Sequence, residues 1–556
     1  MRSLLQKQHR LLFYSMWVLL ACAQSASTEL IADEAYYWVY SRFPAWGYFD
    51  HPPMIAMVIK WGYSIFQNEL GVRLVCILFS TLSIIVIEKL TDKKNPIVFY
   101  LIVLGVGFLQ IAGFLAVPDT PLLFFTALFF YCYREFVKNS SWKNAVLLGF
   151  VTALMLYSKY HGVLIVLFTF LSNIKLIARW QTWLAALLVI VFFSPHLLWQ
   201  WENNWPSLQY HLVERVGGEF KFNNFRDFFL GQILLAGPFI GFILLPAAFL
   251  FKTKNKTERA LKFNLWGVYI FFLLISFNGR AEANWTIQAL VPLIVLSHQY
   301  LIEKSSWIKP LRIISLVSLI FIMAGRIYLV EDIGPDNAVK NKFHNNKEWV
   351  AAIAEKTKNV PVVFFSSYQR SSLFWFYSGI PSHSHNSLRE RKNNYNFWPT
   401  ESNLLGKKVY LADTYNIFSY DDSIKTEKGW VGISTNTVFA GLAGIKIIPE
   451  QKSIETKANA VLTISSGIII SKPYILFLKQ QPNLKTELLA GVFKGKNIIK
   501  ELSTGISAYQ LAASENVIVS LDLGNIPSGE YSLRFSIQSK DYPPGHNSDK
   551  IKLRIR

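Results

Sequence analysis

The chain has 556 residues, 52% of them hydrophobic and only 17% charged, against about 25% charged in an ordinary soluble protein. That composition excludes a disordered chain and an ordinary soluble enzyme. The 56 Lys+Arg against 36 Asp+Glu leave a formal net charge of +20. In so apolar a chain this reads as basic loops held on one side of a membrane rather than as a nucleic-acid footprint.

At the start, Arg2, Lys7 and Arg10 precede a short apolar run that ends in Ala21-Cys22-Ala23-Gln24-Ser25-Ala26. The shape is that of a signal peptide. Ten further apolar runs follow and orient the chain without cleavage, so we read it as a first span. The predicted spans are 11–29, 70–90, 96–116, 121–137, 144–158, 161–174, 181–199, 227–251, 263–278, 285–301 and 311–330, eleven in all. Several fall short of the roughly 20 residues a bilayer needs. Cys22, Cys76 and Cys132 all lie in such runs and form neither a metal spacing nor a disulfide framework.

With the N-terminus inside, the N-terminal segment and the alternate loops that become cytoplasmic together carry nineteen Lys/Arg. The opposite loops carry seven: Arg42, Lys60, Lys159, Arg215, Lys221, Arg226 and Arg280. Charge bias of this sign sets orientation. Eleven spans then leave residues 331–556 outside.

The outer loops are chemically unusual. The first, about 30–69, contains Asp33-Glu34-Ala35-Tyr36-Tyr37-Trp38 and then Tyr48-Phe49-Asp50-His51-Pro52-Pro53. It is too polar to span and is predicted as helices lying at the interface. The second is the turn Pro118-Asp119-Thr120-Pro121, and the third holds Lys159 and His161. The fourth carries Trp201-Glu202-Asn203-Asn204-Trp205-Pro206 and, further on, Arg215. The fifth is Asn278-Gly279-Arg280-Ala281-Glu282-Ala283-Asn284-Trp285.

A single acid at a helix end is usually a cap or turn residue, and Asp119 between two prolines fits that description. Five loops on one side, each with an acid or a base, read instead as walls of one polar site. A carboxylate there can act as general base on an acceptor. Lys159, Arg215 and Arg280 can hold a lipid-linked phosphate. Together they point to group transfer from a lipid phosphate to an acceptor on the outer side.

Past Val330 the apolar runs shorten to strand length. Val360 to Phe365 and Lys408 to Asp413 read as strands, with a helix from Gln369 to Tyr377 between them. That predicts a small mixed α/β domain over 331–454. From 455 to 556, segments such as Ala460 to Ile464, Val517 to Leu521 and Tyr531 to Ile537 predict short strands separated by turns. We expect a β-sandwich of about 100 residues there.

The first-loop acidic pair Asp33-Glu34 followed by Asp50-His51-Pro52-Pro53, with the turn at Asp119, resembles the GT-C glycosyltransferases. It is most similar to the branch holding protein O-mannosyltransferases and bacterial aminoarabinose (lipid A) transferases. The stretch Asn393-Asn394-Tyr395-Asn396-Phe397-Trp398-Pro399 resembles a motif of bacterial relatives, with Asn394 and Asn396 replacing the usual Gln and Asp.

The resemblance covers about 1–400. It implies a mainly α-helical polytopic GT-C membrane domain over 1–330, with about eleven transmembrane helices, in the inner membrane, followed by a periplasmic region. It also implies a polyprenyl-phosphate-sugar donor, an inverting transfer, and a lipid A, glycan or protein acceptor. By the resemblance Asp33 is the catalytic base, with Asp119 and Glu34 assisting. Lys159, Arg280, Arg215 and His51 are candidates for the donor phosphate. Asp50, Tyr36, Tyr37 and Tyr395 are candidates for substrate contact. A divalent metal near Asp50 stays open, because a lone His and Asp give no ligand spacing. The rival readings are a lipid or sugar transporter or flippase, which should carry ionisable groups near mid-span, and a membrane scaffold, which leaves the acidic first loop unexplained.

Overall fold

The computed structural model describes residues 2–111, 113–210, 220–334, 339–416, 419–539 and 542–556. Two compact units divide at residue 344: Met1–His344 and Asn345–Arg556.

In the first unit each of the eleven apolar runs forms helix over much of its length, within the described residues. The helices begin with α1 (Arg2–Ser27), α2 (Ala32–Arg42), α3 (Met54–Ile65), α4 (Glu69–Leu90), α5 (Pro96–Gly105) and α6 (Gly107–Ile111). They continue with α7 (Asp119–Lys138), α8 (Trp142–Ser158), α9 (Gly162–Ser172), α10 (Trp180–Glu202) and the short α11 (Pro206–Gln209). The last are α12 (Phe222–Ala236), α13 (Gly241–Leu250), α14 (Lys256–Asn278), α15 (Leu290–Glu303) and α16 (Ile308–Val330).

By length and composition, five helical stretches among the described residues can cross a membrane: α4, α10, α14, the segment Ala283–Glu303 and the segment Ser305–Val330. Counting two bent pairs raises that to seven, against the eleven expected from hydropathy. The difference has local causes. The run 96–116 is broken between Gly105 and Gly107. Helices α8 and α9 have only 17 and 11 residues. Helix α7 is 20 residues long but holds Asp119, Arg134, Glu135 and Lys138. The run 227–251 bends by 93° between α12 and α13. Gly237 sits at that bend with φ +128°, and a Cβ there would lie 2.3 Å from the Gly105 carbonyl oxygen. Only glycine allows both the angle and the approach.

The first outer loop is helical, as its amphipathic pattern predicts. Helix α2 turns 94° away from α1 and buries Tyr36, Tyr37, Trp38 and Tyr40.

The second unit opens with a helix, Asn346–Thr357, and a five-stranded mixed sheet. Its strands are β1 (Val362–Phe365), β2 (His383–His385), β3 (Val409–Asp413), β4 (Asp422–Thr426) and β5 (Gly429–Asn436), in the order β2-β1-β3-β5-β4. Strands β1, β2 and β3 are parallel, and the helix Tyr368–Ser378 makes the crossover from β1 to β2.

Eight strands follow: β6 (Lys446–Pro449), β7 (Ser453–Thr456), β8 (Val461–Ile469), β9 (Thr486–Lys494), β10 (Asn497–Ser503), β11 (Asn516–Asp522), β12 (Gly529–Ser539) and β13 (Ile551–Ile555). They form a five-stranded sheet, β10-β9-β12-β13-β7, and a three-stranded sheet, β11-β8-β6. One core joins all three sheets. Val363 and Phe365 of the first pack in it with Leu488, Val492 and Phe535 of the second and with Ile464 and Val519 of the third. The strands expected near 360, 408, 460, 517 and 531 are all present.

Candidate active site

Asp33 lies in the first turn of α2 and is half-buried. Acidic residues favour this end of a helix, where unpaired N–H groups and the dipole are positive. Its neighbour Glu34 points into the protein and is fully buried. Glu34 takes two bonds from Arg73, Nε to Oε1 at 2.7 Å and Nη2 to Oε2 at 2.6 Å. The Ile31 backbone N–H donates to Oε2 (3.1 Å) and the Ala116 N–H to Oε1 (2.8 Å). Arg73 spends its remaining donors on the carbonyls of Ser25, Thr28 and Glu29 and on the Thr28 hydroxyl. This knot fastens α2 to α4 and to the segment entering the Asp119 turn. Arg73 lies inside the apolar run 70–90 rather than in a loop, and an ionisable residue within such a run is the sequence signal that marks it.

Asp119 begins α7 and is 4% exposed. Its Oδ1 accepts from Lys159 Nζ at 2.8 Å and its Oδ2 from Asn284 Nδ2 at 3.2 Å. Lys159, at the C-terminal end of α8, is also buried. The loops carrying Asp119, Lys159 and Asn284 therefore meet in one cluster, with Asp119 and Lys159 buried and Asn284 half-buried. Asn284 was not among the residues singled out by sequence, because an amide in a loop carries no pattern of its own.

Asp50 is buried and accepts from the hydroxyls of Tyr36 (3.1 Å) and Tyr40 (3.4 Å). Tyr37 stands edge-on to the His51 ring at 5.6 Å. The same loop is moored to α10 and α11. The Trp46 carbonyl accepts from His196 Nδ1 (2.7 Å), so the other nitrogen, Nε2, accepts from the Tyr160 hydroxyl (3.0 Å). Gln200 donates to Tyr160 and to Ser207, and Ser207 donates to the Tyr48 carbonyl. First, third and fourth loops are thus joined as well.

The remaining sequence candidates fall elsewhere. Arg280 is 78% exposed and pairs with Glu282 at 3.0 Å. Arg215 lies outside the described residues. Tyr395 belongs to the second unit, where it is buried with its hydroxyl 3.0 Å from that of Ser372. No cluster of three metal-ligating side chains forms around Asp50 among the described residues.

Such a cluster can hold a negative group against Lys159 and Asn284, and the segment entering it is tied through the Ala116–Glu34 bond to the helix whose first turn carries Asp33. Residues 50–199, which run from Asp50 through the Asp119 turn and Lys159 to α10, match the family model described as dolichyl-phosphate-mannose-protein mannosyltransferase. The lipid A galacturonosyltransferase RgtD of Rhizobium johnstonii is 26% identical over 306 residues, 52% of this chain. The chain spans 63% of that relative's length. Among solved structures, ArnT from Cupriavidus metallidurans in the apo state superposes with a TM-score of 0.57 at 13% identity, covering 77% of this chain and 97% of that one. Its form bound to undecaprenyl phosphate gives 0.54 at 14% identity, over 77% and 98%. Residues 50–199 thus resemble that mannosyltransferase family, and the chain shares the fold of ArnT.

Proposed function

We propose that this protein transfers a sugar from a polyprenyl-phosphate donor to an acceptor at the outer face of the inner membrane. The observation that carries the reading is the cluster of buried Asp119 and Lys159 with half-buried Asn284, joined through the Ala116–Glu34 bond to the helix whose first turn carries Asp33. ArnT's capture of undecaprenyl phosphate supports the donor class, and RgtD's action on lipid A supports lipid A as acceptor.

In this reading the chain crosses the membrane eleven times and residues 331–556 lie outside. The short helices and bent pairs complete the crossings. Asp33 takes the proton of the acceptor hydroxyl or amine. The acceptor atom bonds to the anomeric carbon as the bond from that carbon to the phosphate oxygen breaks from the opposite face. The configuration inverts and the polyprenyl phosphate departs with the electron pair. Lys159 offers its ammonium to that phosphate while Asp119 and Asn284 keep it aimed, and Arg280 attracts the donor from the exposed rim. Asp50, held by Tyr36 and Tyr40, shapes the sugar pocket.

The test is transfer in membranes supplied with polyprenyl-phosphate-linked sugars. Asp33→Asn should insert normally and lose on the order of 10²-fold or more in turnover, as expected for a general base. Full turnover in that variant overturns the role of Asp33. Mass spectrometry of lipid A from a deletion strain should reveal a missing sugar, and an unchanged lipid A would exclude that acceptor.

A further inference from the structure

His383 and His385 stand two residues apart on β2, the edge strand of the mixed sheet, so both side chains leave the same face. Glu401 reaches the same point from the turn after the Tyr395–Pro399 motif. His383 Nε2 is 3.6 Å, and His385 Nδ1 3.7 Å, from Glu401 Oε2. All three ligating atoms lie within 4.8 Å of one another, and all three residues are at most 4% exposed.

The hydrogen bonds behind these atoms set their roles. His385 Nε2 bonds the Pro543 carbonyl at 2.9 Å. A carbonyl only accepts, so that nitrogen carries the proton of the neutral ring and Nδ1 presents a lone pair. That lone pair faces Glu401 Oε2 at 3.7 Å, and neither atom has a hydrogen-bond partner within 3.5 Å although both are buried. Two acceptors aimed at one point without a donor are costly. The other atoms of the trio are tied down. His383 Nδ1 meets the Thr400 hydroxyl at 2.9 Å. Glu401 Oε1 accepts from the Tyr474 hydroxyl (2.9 Å) and the Gly444 N–H (3.2 Å). Metal-ligating histidines and carboxylates are oriented by outer partners of this kind. His383 and Glu401 also line a cavity of about 280 Å³ shared with Tyr395, Trp398 and Lys446.

We propose that His383, His385 and Glu401 bind a divalent transition metal of the zinc class, with an open coordination position facing this cavity. Two imidazoles and one carboxylate are a ligand set of metal sites that keep a position for water or a substrate oxygen. Ligand atoms about 2.0–2.2 Å from a tetrahedral zinc lie roughly 3.4 Å from each other, close to the two histidine–Glu401 spacings of 3.6 and 3.7 Å. The half-buried Lys446 beside the cavity suits an anionic oxygen as the further ligand.

The test uses the full chain in detergent, carrying no histidine tag. It is stripped with a chelator and titrated with Zn²⁺ against a chromophoric competitor, with metal content read by mass spectrometry. One equivalent should bind, and Co²⁺ in its place should give the visible absorption of a four- or five-coordinate site. Glu401→Gln and His385→Ala should weaken binding by on the order of 100-fold or more. Tyr474→Phe, which removes only an outer partner, should weaken it by about 10–100-fold. If the wild-type chain binds no stoichiometric Zn²⁺, the proposal fails whatever the variants do. If Glu401→Gln, His385→Ala and Tyr474→Phe all bind as tightly as wild type, the metal sits elsewhere and the proposal fails equally. If the variants unfold, the wild-type stoichiometry and Co²⁺ spectrum still decide.

Discussion

Lys159 Nζ lies 2.8 Å from Asp119 Oδ1, with both side chains 6% exposed. Breaking a buried pair by deleting one partner costs about 3–5 kcal/mol, because the other charge stays buried alone. Lys159→Met and Asp119→Asn should each lower the melting temperature of the detergent-solubilised protein. The double variant should cost clearly less than the sum, yet remain inactive in transfer. Strict additivity of the two losses would show that the pair does not form.

Arg73 presents a different case, because its guanidinium makes six hydrogen bonds in a fully buried site. Lysine has three donors and no planar fork. Arg73→Lys should therefore resemble Arg73→Met in lowering folded yield and melting temperature. The check is size-exclusion recovery of both variants beside wild type. Wild-type recovery of Arg73→Lys would argue that charge alone matters there.

Gly47 is pressed against α10. A Cβ at that position would sit 2.2 Å from the Trp199 ring. Gly47→Ala should push the 46–50 segment off α10, loosening the His196 and Ser207 bonds to it. Overpacking of this kind costs about 1–3 kcal/mol. We expect transfer to fall more than thermal stability, measured on the same preparation, because the segment carries Asp50.

Arg280 gives the opposite expectation. Its exposed pair with Glu282 contributes little to stability. Arg280→Ala should leave the melting temperature unchanged and raise the KM for the lipid-linked donor, with kcat nearly constant. A fall in kcat without a change in KM would remove Arg280 from donor capture.

His546 is buried, and burial together with the nearby charges of Arg534, Lys392 and Lys446 pushes its pKa well below the ordinary 6.5. The unfolded chain takes up a proton near 6.5 and the folded chain does not. The stability tied to the neutral ring is therefore complete above about pH 6.5. It is lost as pH falls from there toward the folded pKa, at about 1.4 kcal/mol per unit. His546→Gln should flatten the melting temperature between pH 6.5 and 5 relative to wild type. Parallel profiles for the two proteins would assign the acid loss to other groups.

Local pattern determined a good deal. Eleven apolar runs, the charge asymmetry of the loops, the acidic start of α2, the turn at Asp119 and the alternating strands after 455 are all short-range features. Hydrophobic period and turn chemistry report these directly. The same features sufficed to single out Asp33, Asp119 and Lys159. Tertiary structure decided which of these groups meet. Adjacent Asp33 and Glu34 look alike in the sequence, yet one opens the helix half-buried while the other is locked to Arg73, 39 positions away. Lys159 and Arg280 read as equal cations until packing buried one against Asp119 and left the other in solvent. His383 and His385 became a candidate metal site only when a turn sixteen residues on brought Glu401 beneath them. Partner choice over such separations depends on how whole helices and sheets pack, and no local period encodes it.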